Sequence, residues 1–214
     1  SNDLLDLAFN IIIGGLIGAR LYHVIIHWYD YSHNLIDIVK IWEGGLAIHG
    51  AIIGGGLALL LTCHKRHWPT WQVASWLTPS LALGQAIGRW GNFFNQELFG
   101  PPTNRPWGVP IDVVYRPIEY SAATHFHPLF LYESIACSLL ALILYYLNRH
   151  TIKAQYIVAT YLIGYGLIRF VIEFWRQDPT LYLLGWRWPQ WISCFMILGG
   201  LWLIIYPLIL RQKH

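Results

Sequence analysis

The residues best placed to do chemistry are Arg89, Asn92, Asn95 and Glu97, which lie close together in Gly88-Arg89-Trp90-Gly91-Asn92-Phe93-Phe94-Asn95-Gln96-Glu97-Leu98-Phe99-Gly100, at the end of a long apolar run. Charged and amide groups leaving an apolar segment cost roughly several kcal/mol each unless they find partners, so such a cluster marks a site. A second constellation, Tyr165-Gly166-Leu167-Ile168-Arg169-Phe170-Val171-Ile172-Glu173-Phe174-Trp175-Arg176, sets Arg169 and Glu173 four residues apart, with Arg176 three residues further on. That spacing puts them on one face of a helix. Guanidinium groups are planar, permanently charged forks, and several of them converging on one cavity would suit a phosphate ester or a carboxylate. Arg20, inside Gly14-Gly15-Leu16-Ile17-Gly18-Ala19-Arg20-Leu21-Tyr22, could join them as an anion contact. It could equally pair with a neighbouring carbonyl or carboxylate in a packing seam.

A proton carrier is available in His49, which follows Trp42-Glu43-Gly44-Gly45-Leu46-Ala47-Ile48 into an apolar stretch. A histidine there serves proton transfer or is a hydrogen-bonded core residue, and the sequence leaves both open. His125 and His127, and likewise His23 and His27, read as interfacial residues before metal ligands, because no Cys/His pattern supports a metal. Cys63, Cys137 and Cys194 sit far apart in or at the end of apolar stretches and read as packing residues. Glu133, within an apolar segment, requires a partner such as an arginine.

The elements that carry these groups follow from composition. Of 214 residues, 56% are hydrophobic and only 12% charged, where a soluble domain would be about 25% charged. Apolar stretches recur at Leu4–His27, Leu46–Cys63, Trp71–Ile87, Pro128–Leu147, Gln155–Phe174 and Pro189–Leu210. At ~1.5 Å per residue each crosses or nearly crosses a ~30 Å hydrocarbon layer. The expected fold is all-α, a polytopic helical membrane protein with six visible spans, and a transmembrane barrel is excluded by the lack of short alternating segments. The first span, with Asp3 and Asp6 at its start and no basic residue before it, is no signal peptide. The opening Ser1-Asn2-Asp3 is expected to mark a truncated or processed start.

Orientation comes from loop charge. His64-Lys65-Arg66-His67, Arg149-His150-Thr151-Ile152-Lys153 and the tail Arg211-Gln212-Lys213-His214 carry bases and no acid, which places both visible ends in the cytoplasm. The opposite loops hold Asp30, Asp37, Glu43, Glu97, Asp112, Glu119 and Asp178, with several arginines. The longest connection, residues 92–127, is rich in Pro, Gly and Asn and reads as an external cap on a single domain, residues 1–214, with a short strand within Trp107–Tyr115. The bases are too dispersed for a nucleic-acid footprint. Residue chemistry alone reaches an outer, guanidinium-lined cavity for an anionic headgroup. It leaves open a lipid-processing enzyme and a transporter or binding protein for an anionic lipid or organic anion, although the two halves show no matching broken spans.

The Gly88–Gly100 segment resembles the signature of prolipoprotein diacylglyceryl transferases. Gly14–Tyr22, Gly44–Gly50, His127-Pro128-Leu129-Phe130-Leu131-Tyr132-Glu133 and Tyr165–Arg176 resemble further segments of that family, in the same order. The resemblance implies a bacterial inner-membrane enzyme that needs no metal and no cofactor, and is expected to act as a monomer. It would transfer the diacylglyceryl group of phosphatidylglycerol to the lipobox cysteine of a prelipoprotein signal peptide, releasing glycerol-1-phosphate. It implies catalytic roles for His49, Arg89 and Arg169 and substrate-binding roles for Asn92 and Gly100, with Glu97 and Glu173 in the same motifs; Arg20, Asn95 and Arg176, singled out above by their chemistry, complete the expected substrate-binding set. The family's first span, with its Tyr-Gly pair, has no counterpart here, so six spans of an expected seven are visible, and this chain alone is expected to be weak or inactive.

Overall fold

The computed structural model describes residues 2–177 and 180–211. Asp178, read above as an outer-loop charge, and Ser1, Gln212, Lys213 and His214 lie outside the described residues, as does the Arg211 side chain. The six apolar stretches all form long helices: α1 (Asn2–Ile26), α3 (Ile48–Lys65), α4 (Thr70–Phe94), α5 (Leu129–Asn148), α6 (Ala154–Glu173) and α7 (Trp188–Arg211), with a single turn, α2 (Trp28–Tyr31), after α1. Among the described residues, five of the long helices are apolar enough to cross a membrane. The remaining one, α4, has the length, at 25 residues, but is diluted by Gln72, Ser75, Thr78, Ser80, Gln85, Arg89 and Asn92. The chain is thus a mostly helical, multi-span membrane protein.

It divides into two compact units, Ser1–Val73 and Ala74–His214. In the first, α1 and α3 pack along their length because glycines remove the side chains between them. A Cβ on Gly50 would lie 2.1 Å from the Gly18 carbonyl oxygen, and one on Gly54 would lie 2.1 Å from that of Gly14. Such backbone approach is the usual source of helix affinity in lipid, where apolar burial gives no drive. Asn10 Nδ2 donates to Thr62 Oγ1 across the pair at 3.2 Å. At the basic end, Arg66 bridges Asp3 and Asp6. The hydrogen bond that Arg66 donates to Asp6, ahead of the contribution of Asp3, raises the Arg66 guanidinium pKa above its ordinary value. Leu7, Cys63 and Val73 form the buried core at this end.

Gly84 and Gly88, spaced four apart as Gly14/Gly18 and Gly50/Gly54 are, behave differently: a Cβ on either would meet nothing within 4 Å. α4 instead packs in the second unit through Ala82, which joins Leu140, Ala141, Leu144 and Ile157 in a buried cluster. Ser134 Oγ donates to the Ala86 carbonyl at 2.8 Å. Pro79 lies inside α4 and has no N–H to offer the carbonyl four residues back. That carbonyl, of Ser75, accepts from Thr78 Oγ1 at 2.8 Å and from Asn148 Nδ2 at 2.9 Å. α6 and α7 meet over Gly166 and Gly200, where an added Cβ would fall within 3.0 Å of neighbouring atoms.

Among the described residues, strands form two small ladders, with one isolated bridge between Pro102 and Phe126. β1 (Val109–Pro110) pairs antiparallel with β2 (His125–Phe126), and β3 (Tyr182–Leu183) with β4 (Trp186–Arg187). The strand expected within Trp107–Tyr115 is therefore only two residues long, followed by a 3-10 turn at Val113–Tyr115. Phe99, Ile111 and Phe126 form the small buried core of the 92–127 segment.

Candidate functional site

In the second unit, four arginines surround two buried carboxylates. Glu133, on the first turns of α5, is fully buried, and its Oε2 accepts from Arg169 Nη1 at 2.9 Å while lying 3.7 Å from Arg89 Nη1. Glu173, fully buried at the end of α6, takes Arg169 Nη2 at 3.0 Å and Arg176 Nη1 at 3.5 Å on Oε2, and Arg187 Nε at 2.7 Å on Oε1. Arg169 thus spans both carboxylates with its two terminal nitrogens. The helical i, i+4 spacing expected from sequence gives its bond to Glu173, and the apposition of α5 and α6 gives its bond to Glu133. An ionised carboxylate out of water costs several kcal/mol unless it is paired, which these guanidinium contacts provide.

Arg89 is held more loosely. Its Nε is buried with no hydrogen-bond partner, and its contact with Glu133 is a 3.7 Å ion pair on an oxygen that Arg169 already occupies. The other oxygen of that carboxylate, Glu133 Oε1, is also buried and unpartnered. Low dielectric raises the value of any anionic oxygen that enters such a guanidinium's reach.

The rest of the Gly88–Gly100 segment shapes the chain around Arg89. Asn92 Nδ2 donates to Glu97 Oε2 at 3.1 Å, and the Glu97 N–H bonds back to the Asn92 carbonyl at 2.8 Å. α4 stops there because Gln96 (φ 54) and Leu98 (φ 55) turn into the left-handed region, a conformation that ends helices. Gln96 holds this turn to the segment beyond: its Oε1 accepts from the Asp112 N–H at 2.6 Å and its Nε2 donates to Asp112 Oδ2 at 2.8 Å. Asn95 is exposed and contributes its backbone N–H to Gly91 O at 3.0 Å. Gly100 is buried against α5: its N–H donates to His127 O at 2.8 Å, and a Cβ would come within 3.1 Å of His127. From there a short chain of polar contacts runs His127 Nδ1, Tyr132 Oη, Trp107 Nε1 at 2.9 and 2.8 Å. A cleft of about 470 Å³ opens among Thr103, Arg105, Gly108 and His125. It is lined by neither Arg89 nor Arg169, so it is separate from the arginine cluster.

In the first unit, Arg20 is buried and its guanidinium is spent on backbone carbonyls. Nε donates to Ile38 O at 2.8 Å, Nη1 to Gly44 O and Gly45 O at 2.6 and 3.0 Å, and Nη2 to Asp37 O and Lys40 O. Of the two readings open for Arg20, this is the carbonyl-paired one. Gly44 and Gly45 take φ of 92° and 71°, which keeps the loop backbone close enough to be grasped. Lys40 Nζ pairs with Asp37 at 2.6 Å, and that hydrogen bond raises the Lys40 pKa. His49 stands on the first turn of α3, exposed, with its ring 5.8 Å from that of Tyr22.

Sequence reasoning placed Arg89, Arg169, Glu173 and Arg176 together and anticipated an arginine partner for Glu133. It missed Arg187, which reads as one more loop base. The local signal is Leu184-Gly185, both at positive φ, the two-residue turn of a tight hairpin. That turn folds β4 back so that Arg187 reaches Glu173. It also passed over Gln85, which bonds Tyr161 Oη at 2.9 Å.

Comparison with known proteins agrees with the motifs. A family model described as prolipoprotein diacylglyceryl transferase matches residues 1–206. The phosphatidylglycerol–prolipoprotein diacylglyceryl transferase of Synechococcus elongatus is 46% identical over 212 residues, covering 94% of this chain and 73% of the relative. The protein of the same name from Synechocystis is 43% identical over 215 residues, covering 98% and 75%. That from Parasynechococcus marenigrum is 45% identical over 214 residues, covering 94% and 76%. With the match running through every helix and both arginine-bearing motifs, the chain belongs to the prolipoprotein diacylglyceryl transferase family.

Proposed function

We propose that this protein transfers the diacylglyceryl group of phosphatidylglycerol to the lipobox cysteine of a prolipoprotein, as the names of its relatives describe for them. The observation that supports this reading best is Arg89: a guanidinium with a buried, unpartnered Nε and a loose carboxylate contact, beside the doubly anchored Arg169. The lipid phosphate would enter where Arg89 is under-satisfied. The substrate thiolate attacks the glycerol carbon that bears the phosphoester. A carbon–sulfur bond forms, the carbon–oxygen bond to phosphorus breaks, and glycerol-1-phosphate leaves with the electron pair. The growing charge on the departing phosphate is met by Arg169, which its two carboxylates already orient, and by the less constrained Arg89. Asn92 and Glu97, bonded to each other, fix the helix end that carries Arg89. Glu173 and Arg176 hold Arg169 in place.

The thiol proton is assigned to His49, because an ordinary thiol is mostly protonated at neutral pH and only the thiolate attacks. The sulfur comes from the substrate peptide: Cys63 and Cys137 are buried, and the half-buried Cys194, like them, lies outside every polar motif, so direct displacement is favoured over a lipid–enzyme intermediate. The reading places six spans in a bacterial inner membrane, with the basic loops and both visible ends cytoplasmic and the 92–127 cap outside. It retains Arg20, Asn95 and Gly100 as parts of the substrate-binding architecture, through the loop or turn that each one holds.

Purified full-length protein mixed with phosphatidylglycerol and a lipobox peptide should yield a diacylglyceryl thioether on the peptide cysteine and an equal amount of glycerol-1-phosphate, both read by mass spectrometry. Folded, lipid-binding protein that forms neither would overturn the reading. His49→Gln should flatten the acid limb of the pH–rate profile, whereas an unchanged profile would leave His49 as a lipid contact only.

A further inference from the structure

Beneath the arginine cluster lies a second polar pair. Gln85 is one turn before Arg89 on α4, and Tyr161 is two turns before Arg169 on α6. Gln85 Nε2 donates to Tyr161 Oη at 2.9 Å, and Gln85 Oε1 is buried without a partner. Four residues of helix place Gln85 about 6 Å further along the axis, away from the polar end of α4. Next to the pair the packing turns apolar: Ala82, Leu140, Ala141, Leu144 and Ile157 form a buried cluster, and the Tyr161 ring packs on it. The polar groups Thr78, Ser75 and Asn148 come only about two turns of α4 further on and bond one another. The polar stretch around the arginines therefore runs from Arg89 and Arg169 to Gln85 and Tyr161, where it gives way to this apolar cluster. Alongside it Gly84 and Gly88 leave open space, with nothing within 4 Å of where a Cβ would sit.

A phosphatidyl lipid has the same order of chemistry along its length. The phosphate is followed, one glycerol unit away, by two ester groups, and after these come only acyl chains. We propose that Gln85, held by Tyr161, binds an ester carbonyl of the diacylglyceryl group. This rests on the transferase reading above and extends it to the part of the substrate that is transferred. A half-turn of the amide, with the Tyr161 hydroxyl switching from acceptor to donor, satisfies Oε1 and turns Nε2–H toward the lipid. An ester carbonyl has no donor of its own, so it needs such an N–H. The role also has a mechanical reason. Phosphate contacts fix only the leaving side of the breaking bond, whereas a second contact on the diacylglyceryl side fixes the glycerol carbon for in-line attack.

An amide in a membrane helix can instead serve only to join helices, and the test separates the two roles. Full-length protein is assayed with lipobox peptide and either diester phosphatidylglycerol or the diether with the same chains, which keeps the phosphate and lacks both carbonyls. The wild type should favour the diester, and Gln85→Leu should cut the diester-to-diether ratio of kcat/KM about tenfold, the loss of one good hydrogen bond. Tyr161→Phe, which keeps the ring packing, should lower the same ratio and covers the case in which Gln85→Leu does not fold. An equal loss on both lipids, or an unchanged ratio in both variants, would overturn the proposal. Absence of thioether product from the wild type with the diester would instead overturn the transferase reading itself.

Discussion

Arg187 and Glu173 are joined by a 2.7 Å hydrogen bond from Nε to Oε1, which ties the β3–β4 hairpin to the end of α6. Glu173 uses its other oxygen to hold Arg169 at 3.0 Å. Arg187 also donates to the Arg176 carbonyl at 3.2 Å, so the hairpin braces the arginine cluster from outside without being part of any sequence motif.

Arg187→Met should therefore act in two ways. It strips one partner from a buried carboxylate, costing about 2 kcal/mol of stability, and it loosens Arg169 through Glu173. Thermal unfolding in detergent should show the first effect, and a fall in kcat with little change in KM for the peptide the second. Arg187→Lys should recover stability better than geometry, because an ammonium lacks the fork. Unaltered stability and rate in the methionine variant would show that the hairpin is not a brace.

Arg89 and Arg169 should separate in their profiles. Among the described residues Arg89 makes one ion pair, the 3.7 Å contact with Glu133, so Arg89→Ala should fold nearly as the wild type yet lose about 100-fold in rate. Arg169 bridges two fully buried carboxylates, so Arg169→Ala should lose comparable rate and also about 3–5 kcal/mol of stability. Rate and melting temperature measured on both variants decide this, and equal destabilisation would contradict the loose setting of Arg89.

Two glycines on α3 should respond in opposite directions to the same substitution. Gly50→Ala puts a methyl 2.1 Å from the Gly18 oxygen, whereas Gly56→Ala meets nothing within 4 Å. The first should separate α1 from α3 and destabilise the protein by about 1–3 kcal/mol. The second should be neutral or gain up to about 1 kcal/mol from helix propensity. Detergent unfolding curves for the pair provide the measurement.

Arg20→Lys should release the loop that the guanidinium holds. Its donors reach five carbonyls between Asp37 and Gly45, more than an ammonium can bond. Hydrogen exchange across residues 35–45 should quicken about tenfold or more while the helices stay protected. Unchanged exchange combined with a higher KM for phosphatidylglycerol would make Arg20 a direct lipid contact instead.

The sequence by itself determined the six long helices, because an apolar stretch of about twenty residues satisfies its own backbone locally only as a helix, and in lipid it has no alternative donor or acceptor. It also determined the α6 part of the cluster, since Arg169, Glu173 and Arg176 share a face by helical spacing alone, and it singled out the Gly88–Gly100 turn by its composition. Only tertiary structure decided which charges meet across the chain. Glu133 joins Arg89 and Arg169 over separations of 44 and 36 residues, and Arg187 reaches Glu173 only because Leu184 and Gly185 reverse the backbone. It decided, too, that Gly14, Gly18, Gly50 and Gly54 form a tight seam while the identically spaced Gly84 and Gly88 face open space. Local spacing states which face a residue occupies. What lies opposite that face depends on packing between distant segments, and for a buried charge the opposing group sets the energy.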